Sequence, residues 1–600
     1  MGILESIKNA SNIKQLNNEQ LAKLSEELRE KILATTKNNG GHLASNLGII
    51  ETTVALYKVF DFPQDKLIFD VGHQCYAHKI LSGRADKFDS IRKDGGISGF
   101  PFREESEFDS FVGGHAGNSI SAGIGYCLAR DKQGEDYTVI CVVGDASLSN
   151  GLNLEAITVN DVKPKNFIVI LNDNGMSISK NMSGFYQFLS KGTTNKGYMS
   201  SKRVIKRIFG TSFVTRILIK FKDFIKRILG YKDFFENQGF KHVGVVDGND
   251  IDELVKILNR VKLASKEKSV FLHVKTTKGK GFTEAEEHAD RYHGVGALLK
   301  NEEGDFALAL GEKLNQLIEK DDKVIAITAG MKDGTGLGIV EKANPKNFLD
   351  VGIAEEYAIT SAGGMAAGGL KPFVGIYSTF LQRGYDQIVH DICLQNLPVV
   401  FCIDRAGFVG QDGCTHQGLF DLSYLLHIPN LTVFAPSNSL ELKDILEHAK
   451  NLNRPVAIRY PKNGLDNRKT PSIEENAWEI IKDGDKISIL AVGPRMIDLA
   501  IKVSERIEGV CVISARRVKP LCEKTLQEIE NTLVITLEEN SLIGGFGAFV
   551  SSYYLSKGKK VKMLSFGAKD EFSMHGSIEN QLEKNQLTVD GVVESIKNMG

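Results

Sequence analysis

The chain has 600 residues, too many for one hydrophobic core, and length alone implies three or four domains. Lysine and arginine total 74 against 75 aspartates and glutamates, a net charge of −1 that removes any general electrostatic reason to expect nucleic acid as a partner. Apolar residues make up 42% and charged residues 25%, an ordinary globular composition, and no apolar run approaches the ~20 residues of a membrane span.

The opening stretch MGILESIKNASNIKQL has too few apolar residues for a signal peptide. The eight cysteines include no C-x-x-C pair, and Cys141 and Cys402 lie inside apolar runs. Buried thiols in a reducing cytoplasm are therefore expected, rather than disulfides or a zinc site.

From Gly40 to about Leu299, helical periodicity alternates with the short apolar runs KLIFDVG (66–72), TVICVVGD (138–145), FIVILND (167–173) and SVFLHVKT (269–276). Continuous apolar strands between helices predict a parallel sheet covered on both faces. The rhythm restarts with KVIAITAG (323–330), NFLDVGIAE (347–355), KPFVGIYSTF (371–380), PVVFCIDRAG (398–407) and PVAIRYPK (455–462). A third set follows: KISILAVG (486–493), GVCVISARRVKP (509–520) and NTLVITLEEN (531–540). The prediction is three successive α/β domains with mostly parallel sheets, 1–303, 304–470 and 475–600, with polar joins near 300–305 and 465–482.

One stretch departs from this rhythm. Residues 201–235 carry ten Lys and Arg against two Asp, and Ile217, Leu218, Phe221, Phe224, Ile225, Ile228 and Leu229 share one helical face. Such a helix either lies on an anionic membrane surface or packs as an insertion on its own protein.

The runs VICVVGDASLSNG (139–151) and FIVILNDNGMSIS (167–179) each end in a turn, delivering Asp145 and Asn174 to strand ends 29 positions apart. Ligands of open parallel sheets bind outside the carboxyl ends of the strands. A carboxylate, an amide oxygen and a turn carbonyl there suit Mg²⁺, which completes its shell with substrate phosphates.

This pairing resembles the G-D-G…N motif of thiamine diphosphate enzymes. GGHLASNLGIIETTVAL (40–56), DVGHQCYAHKILSGR (70–84), GGISGFPFREESE (95–107), IYSTFLQRGYDQIVHDICLQNLPVVFCIDRAG (376–407) and DGCTHQGLFDLSYL (412–425) narrow the resemblance to the 1-deoxy-D-xylulose-5-phosphate synthases. It runs from about residue 30 to the C-terminus, excluding 185–235. It implies a transketolase-like fold, a homodimer, thiamine diphosphate with Mg²⁺, and condensation of pyruvate with glyceraldehyde 3-phosphate with loss of CO₂.

By the same resemblance Asp145, Asn174 and Met176 hold the metal. Glu355 hydrogen-bonds the aminopyrimidine, so that its imino nitrogen takes the thiazolium C2 proton. His42 handles substrate protons, and His73 touches the cofactor. Gly114, His115, Ala116, Ala146, Ser147, Lys278 and Phe282 line the cofactor, and His416 contacts substrate. Tyr377, Arg405 and Arg459 bind the acceptor's phosphate, with Phe380, Arg383 and Asp412 beside them; guanidinium suits phosphate because it donates two parallel hydrogen bonds.

Several motifs depart from the family pattern. G-D-G-A is here Gly144-Asp145-Ala146-Ser147, and Ala146 costs the turn if that position needs a positive φ. Ser147 is expected to offset this by donating to a phosphate. GHSSTS is here GHAGNS, NDNEMS is NDNGMS, AEQHA is AEEYA, and the Tyr after KGRG is Phe282. Each lost hydrogen bond is worth about 0.5–1.5 kcal/mol, so no single change abolishes cofactor binding. The clustered changes leave two alternatives: a related carboligase with another donor or acceptor, and a weakly active member whose basic segment docks it elsewhere.

Overall fold

The computed structural model describes residues 2–7, 9–159, 163–175, 234–299, 304–464, 468–473 and 477–599. Met176 and the basic segment, up to residue 233, lie outside the described residues. The chain forms two compact units, Met1–Ile91 with Ile97–Asn301, and Arg92–Gly96 with Glu302–Gly600.

The first unit is built on β1 (Lys66–Phe69), β2 (Val139–Gly144), β3 (Phe167–Asp173), β4 (Lys241–Asp247) and β5 (Val270–Lys275), all parallel, in the order β1-β2-β3-β5-β4. Side chains alternate between faces along each strand. Ile140, Val142, Ile168 and Ile170 join the core that holds helices Asn18–Asn39 and Ile50–Val59, whereas Val139, Cys141, Val143, Phe167 and Val169 join the core on the opposite face. Both faces are covered, which is why β2 and β3 are continuous apolar runs. Gly144 pairs with Asn172 and Asp173 with Lys275, so the turns after β2, β3 and β5 lie side by side.

The second unit contains two sheets. One has seven strands, β6 (Val324–Thr328), β7 (Phe348–Asp350), β8 (Lys371–Tyr377), β9 (Val400–Asp404), β10 (Thr432–Phe434), β11 (Val456–Arg459) and β15 (Arg517–Lys519), in the order β15-β10-β11-β9-β8-β6-β7. The other has five, β12 (Glu479–Lys482), β13 (Ile487–Ala491), β14 (Val510–Ser514), β16 (Leu533–Ser541) and β17 (Met563–Ala568), in the order β12-β14-β13-β16-β17. Among the described strands only the β10–β15 and β12–β14 pairs are antiparallel. Because β15 belongs to the third chain stretch yet pairs with β10, it stitches the third α/β domain to the second. The fold is three α/β domains with mostly parallel sheets.

All eight cysteines are free. Among the described residues no helix is long and apolar enough to cross a membrane.

The helix Ser119–Gln133 lies against β2, and its Gly123 faces the sheet: a Cβ there would collide with Cys141 Sγ and sit 2.9 Å from the Phe167 ring. Gly123→Ala is therefore expected to cost about 1–3 kcal/mol of stability through overpacking. Urea unfolding of Gly123→Ala with and without Cys141→Ala checks this; the second change should restore much of the loss, and simple additivity would contradict the assignment.

Candidate functional site

In the first unit the predicted residues collect at the carboxyl edge of the sheet. Asp145 follows β2, Asn174 follows β3 and Lys278 lies three residues beyond β5. Asp145 is 4% exposed; its Oδ1 accepts from the Ala146 amide at 2.9 Å, while the buried Oδ2 has no hydrogen-bond partner among the described residues. Burial, and then the charge of Asp173, push its carboxyl up to about 7. Lys278, also buried, is pushed down to about 8 by desolvation, partly offset by the charge of Asp145. Asp173 is held by His273 Nε2 at 2.7 Å and accepts from the Gly175 amide at 3.1 Å, which shapes the turn carrying Asn174.

The departures from the family pattern find physical explanations. Ala146 sits in the short helix Asp145–Leu148 and is not among the residues with positive φ, so this turn does not require glycine. Gly117 and Gly175 have φ of 90° and 74°, and both use the left-handed freedom that glycine brings. The Ser147 hydroxyl does not point its proton to a phosphate: it donates to the buried Asp70 carboxylate. A hydroxyl carries a single proton, so Ser147 is left with only its backbone to offer a phosphate.

His42 and His73 come together with a third imidazole. Ring centroids lie 5.5 Å apart for His42–His73, 5.7 Å for His42–His293 and 5.1 Å for His73–His293. Asn46 sets the first two: its Nδ2 donates to the carbonyls of His42 at 2.5 Å and His73 at 2.7 Å. Desolvation, followed by the charges of Lys278, His73 and His42, holds His293 well below the usual histidine range. His293 was not singled out from the sequence, although like His42 and His73 it adjoins a glycine, the one local signal that a turn presents its ring.

Gly114 donates its amide to Val71 O at 2.5 Å, which places His115 and Ala116 beside the turn after β1. Val71 has φ of 59°, a conformation costing a β-branched residue about 1–3 kcal/mol and found where a site overrides local preference. Phe282 packs edge-on against Tyr292 at 5.5 Å, and its backbone caps helix Thr283–Glu287.

In the second unit Glu355 opens helix Glu355–Ala367 and is 4% exposed, with Oε2 buried and unpartnered among the described residues. Burial pushes its carboxyl up to about 7, against the lowering effects of a backbone hydrogen bond and the Arg383 charge. Tyr377 ends β8 and Arg405 follows β9, where Tyr377 pairs with Asp404. The Arg405 guanidinium lies 4.6 Å over the Tyr377 ring and donates to Asp404 at 2.5 Å and Gly334 O at 2.8 Å. Its own φ is 58°, a further strained residue at a strand end.

Phe380 stacks on Tyr377 at 6.0 Å and meets His416 edge-on at 5.5 Å. Desolvation lowers the His416 pKa, and Thr415 Oγ1 lies 2.9 Å from its Nδ1. Asp412 accepts from Arg92 at 2.5 Å, a partner the sequence did not reveal because it lies 320 positions away. Arg459 is more committed than its strand position suggests for a phosphate ligand. Its Nε and Nη2 donate to Asp421, and Nη2 also to Glu539 O, leaving Nη1 without a hydrogen bond among the described residues.

These residues fit a metal and a cofactor. Among the described residues no group of three or more His, Cys, Asp or Glu forms a self-sufficient metal cage. Mg²⁺ needs none, since one carboxylate plus ligand phosphates suffices. A cation would complete Asp145 Oδ2, and an unprotonated ring nitrogen would accept the hydrogen bond that a protonated Glu355 has to give.

The raised Glu355 pKa carries a stability signature. The unfolded chain releases this proton near 4.5 and the folded chain near 7. The contribution to stability is therefore fully present below 4.5 and is lost as pH rises towards 7. Glu355→Gln removes the titration. Without cofactor, the variant should match the parent near pH 4.5 and exceed it at pH 8, the gap growing by roughly 1.4 kcal/mol for each pH step of one across that window. Thermal unfolding across pH checks this, and a difference independent of pH would refute it.

The family model of 1-deoxy-D-xylulose-5-phosphate synthase matches residues 4–276, that of the transketolase pyrimidine-binding domain 303–467, and that of the transketolase C-terminal domain 476–592. A 1-deoxy-D-xylulose-5-phosphate synthase of Clostridium tetani is 44% identical over 99% of both chains. One from Clostridium perfringens is 43% identical over 99% of both, and one from Carboxydothermus hydrogenoformans 44% identical over 98% of this chain and 97% of its own. With this similarity running through all three α/β domains, the chain belongs to the 1-deoxy-D-xylulose-5-phosphate synthase family.

Proposed function

We propose that this chain condenses pyruvate with D-glyceraldehyde 3-phosphate to form 1-deoxy-D-xylulose 5-phosphate and CO₂, using thiamine diphosphate and Mg²⁺. This reaction opens the non-mevalonate route to isoprenoid precursors. The observation that carries the reading is a pair of buried carboxyls, Asp145 and Glu355, each with one oxygen unpartnered among the described residues. Uncompensated buried acids are costly unless a ligand completes them.

Bound thiamine diphosphate supplies the nucleophilic carbon and the electron sink for decarboxylation. Asp145 and Asn174, with Met176 by resemblance, would hold Mg²⁺, and Lys278 would add positive charge for the diphosphate. Glu355, whose carboxyl burial pushes up to about 7, would hold the aminopyrimidine ring of the cofactor by donating a hydrogen bond to it, supplying general-acid character there. His73 and His115 border the cofactor, with the backbone of Gly114 and Ala116. His42 exchanges protons with the reacting oxygens, with His293 beside it. His416 contacts substrate across Phe380.

Arg405, its guanidinium oriented by Asp404 and Tyr377, binds the acceptor phosphate, and Arg459 adds its Nη1. Arg383 and Asp412 flank this pocket. The chain is read as a homodimer in the cytoplasm; eight free cysteines support a reducing compartment.

Steady-state assay with Mg²⁺, thiamine diphosphate, pyruvate and glyceraldehyde 3-phosphate tests this. The parent should form deoxyxylulose phosphate, and Glu355→Ala should lower kcat by about a hundredfold or more. Arg405→Ala should raise KM for the acceptor about tenfold while leaving pyruvate KM nearly unchanged. A parent that makes no product at saturating cofactor would overturn the reading.

A further inference from the structure

Asp70 takes no part in the chemistry above, yet its carboxylate accepts hydrogen bonds from four separate residues. It follows β1, is fully buried, and continues the ladder through its amide to Val142 O at 2.8 Å. Oδ1 accepts from the Gly117 amide at 2.8 Å and from the Ser147 hydroxyl. Oδ2 accepts from the Ser119 amide at 3.1 Å and from Asn153 Nδ2 at 3.3 Å. Four accepted bonds saturate a carboxylate.

Those donors come from two separate segments. Gly117 and Ser119 belong to the stretch that carries Gly114, His115 and Ala116 into helix Ser119–Gln133. Ser147 and Asn153 belong to the turn and helix that follow Asp145. Asp70 thus joins the two loops expected to face the diphosphate. No cationic side chain of the described residues forms an ion pair with it; backbone dipoles at the start of helix Ser119–Gln133 and two side-chain donors compensate its charge.

The backbone around Asp70 is equally constrained. Its carbonyl accepts from the Gly72 amide at 2.6 Å and from Gln74 Nε2 at 3.2 Å, and the next residue is the strained Val71. The Val71 carbonyl in turn accepts the Gly114 amide. One short turn therefore fixes His73 on one side and the 114–119 loop on the other.

We propose that Asp70 is a positioning residue: without touching the cofactor, it sets the 114–119 loop against the Asp145 turn so that both meet one diphosphate. Ser147 acts through it rather than on a phosphate. This rests on the reading that the first unit holds thiamine diphosphate.

The test is calorimetric titration of thiamine diphosphate, at fixed millimolar Mg²⁺, into the parent, Asp70→Asn, Ser147→Ala and Asn153→Ala, with kcat at saturating cofactor measured alongside. Asp70→Asn turns an acceptor into a donor facing other donors; it should weaken cofactor binding about tenfold or more, with kcat at saturation within about threefold of the parent. Ser147→Ala should weaken binding about threefold in the same way. The single-donor variants keep the test decisive if Asp70→Asn fails to fold. Unchanged affinity in every variant, with only thermal stability falling, would overturn the proposal. Cofactor uptake by the parent without product formation would overturn the assigned reaction but leave this positioning role standing, whereas no uptake by the parent would remove both.

Discussion

The structure is organised around a buried acid at the end of a largely buried strand. Asp145 has the charge of Asp173 beside it and one oxygen with no partner among the described residues. Left alone, the group keeps its proton to about pH 7, well above an ordinary aspartate. A parallel sheet covered on both faces holds it there, with β2 and β3 in register inside the protein. The same sheet aligns the ends of β2, β3 and β5, so Asp145, Asn174 and Lys278 are consequences of one register. Glu355 repeats the arrangement in the second unit, at the start of a helix rather than the end of a strand.

Much of this was legible in the sequence because it depends on local pattern. Continuous apolar runs predict buried parallel strands, and the polar residue ending each run marks the turn at the carboxyl edge of the sheet. The partners were not legible. Asp70 reads as one more acid after a strand, and only the folded chain brings Gly117, Ser119, Ser147 and Asn153 to it. Arg92 with Asp412, and Asp421 with Arg459, are likewise tertiary pairs without a sequence signature. The altered motifs raised two questions that geometry answered: Ala146 is accommodated because its turn is helical, and Ser147 directs its hydroxyl inward. Strain at Val71 and Arg405 was invisible too, since neither residue type predicts a positive φ.

The two units balance stability against function in the same way. Each keeps acids where they destabilise the empty protein, and each surrounds them with well-satisfied groups. Asp404 and Asp421 are fully buried acids held by arginines, and Asp70 is saturated by donors. Rigid, fully bonded neighbours allow the few incomplete groups to remain poised without the loops collapsing onto them. The loops that differ from the family pattern fall within this supporting layer, through Gly117 and Ser147, as much as beside Asp145 and Glu355. That placement accounts for a chain that changes several motif residues while keeping Asp145, Asn174 and Glu355.

The central claim is that Asp145 is completed by a divalent cation that arrives with a diphosphate. Manganese, a magnesium substitute visible by electron paramagnetic resonance, tests it directly. The account predicts about one tightly held Mn²⁺ per chain when thiamine diphosphate is present, much weaker binding without it, and loss of the tight site in Asp145→Asn. Equally tight Mn²⁺ uptake by Asp145→Asn, or uptake indifferent to thiamine diphosphate, would contradict it.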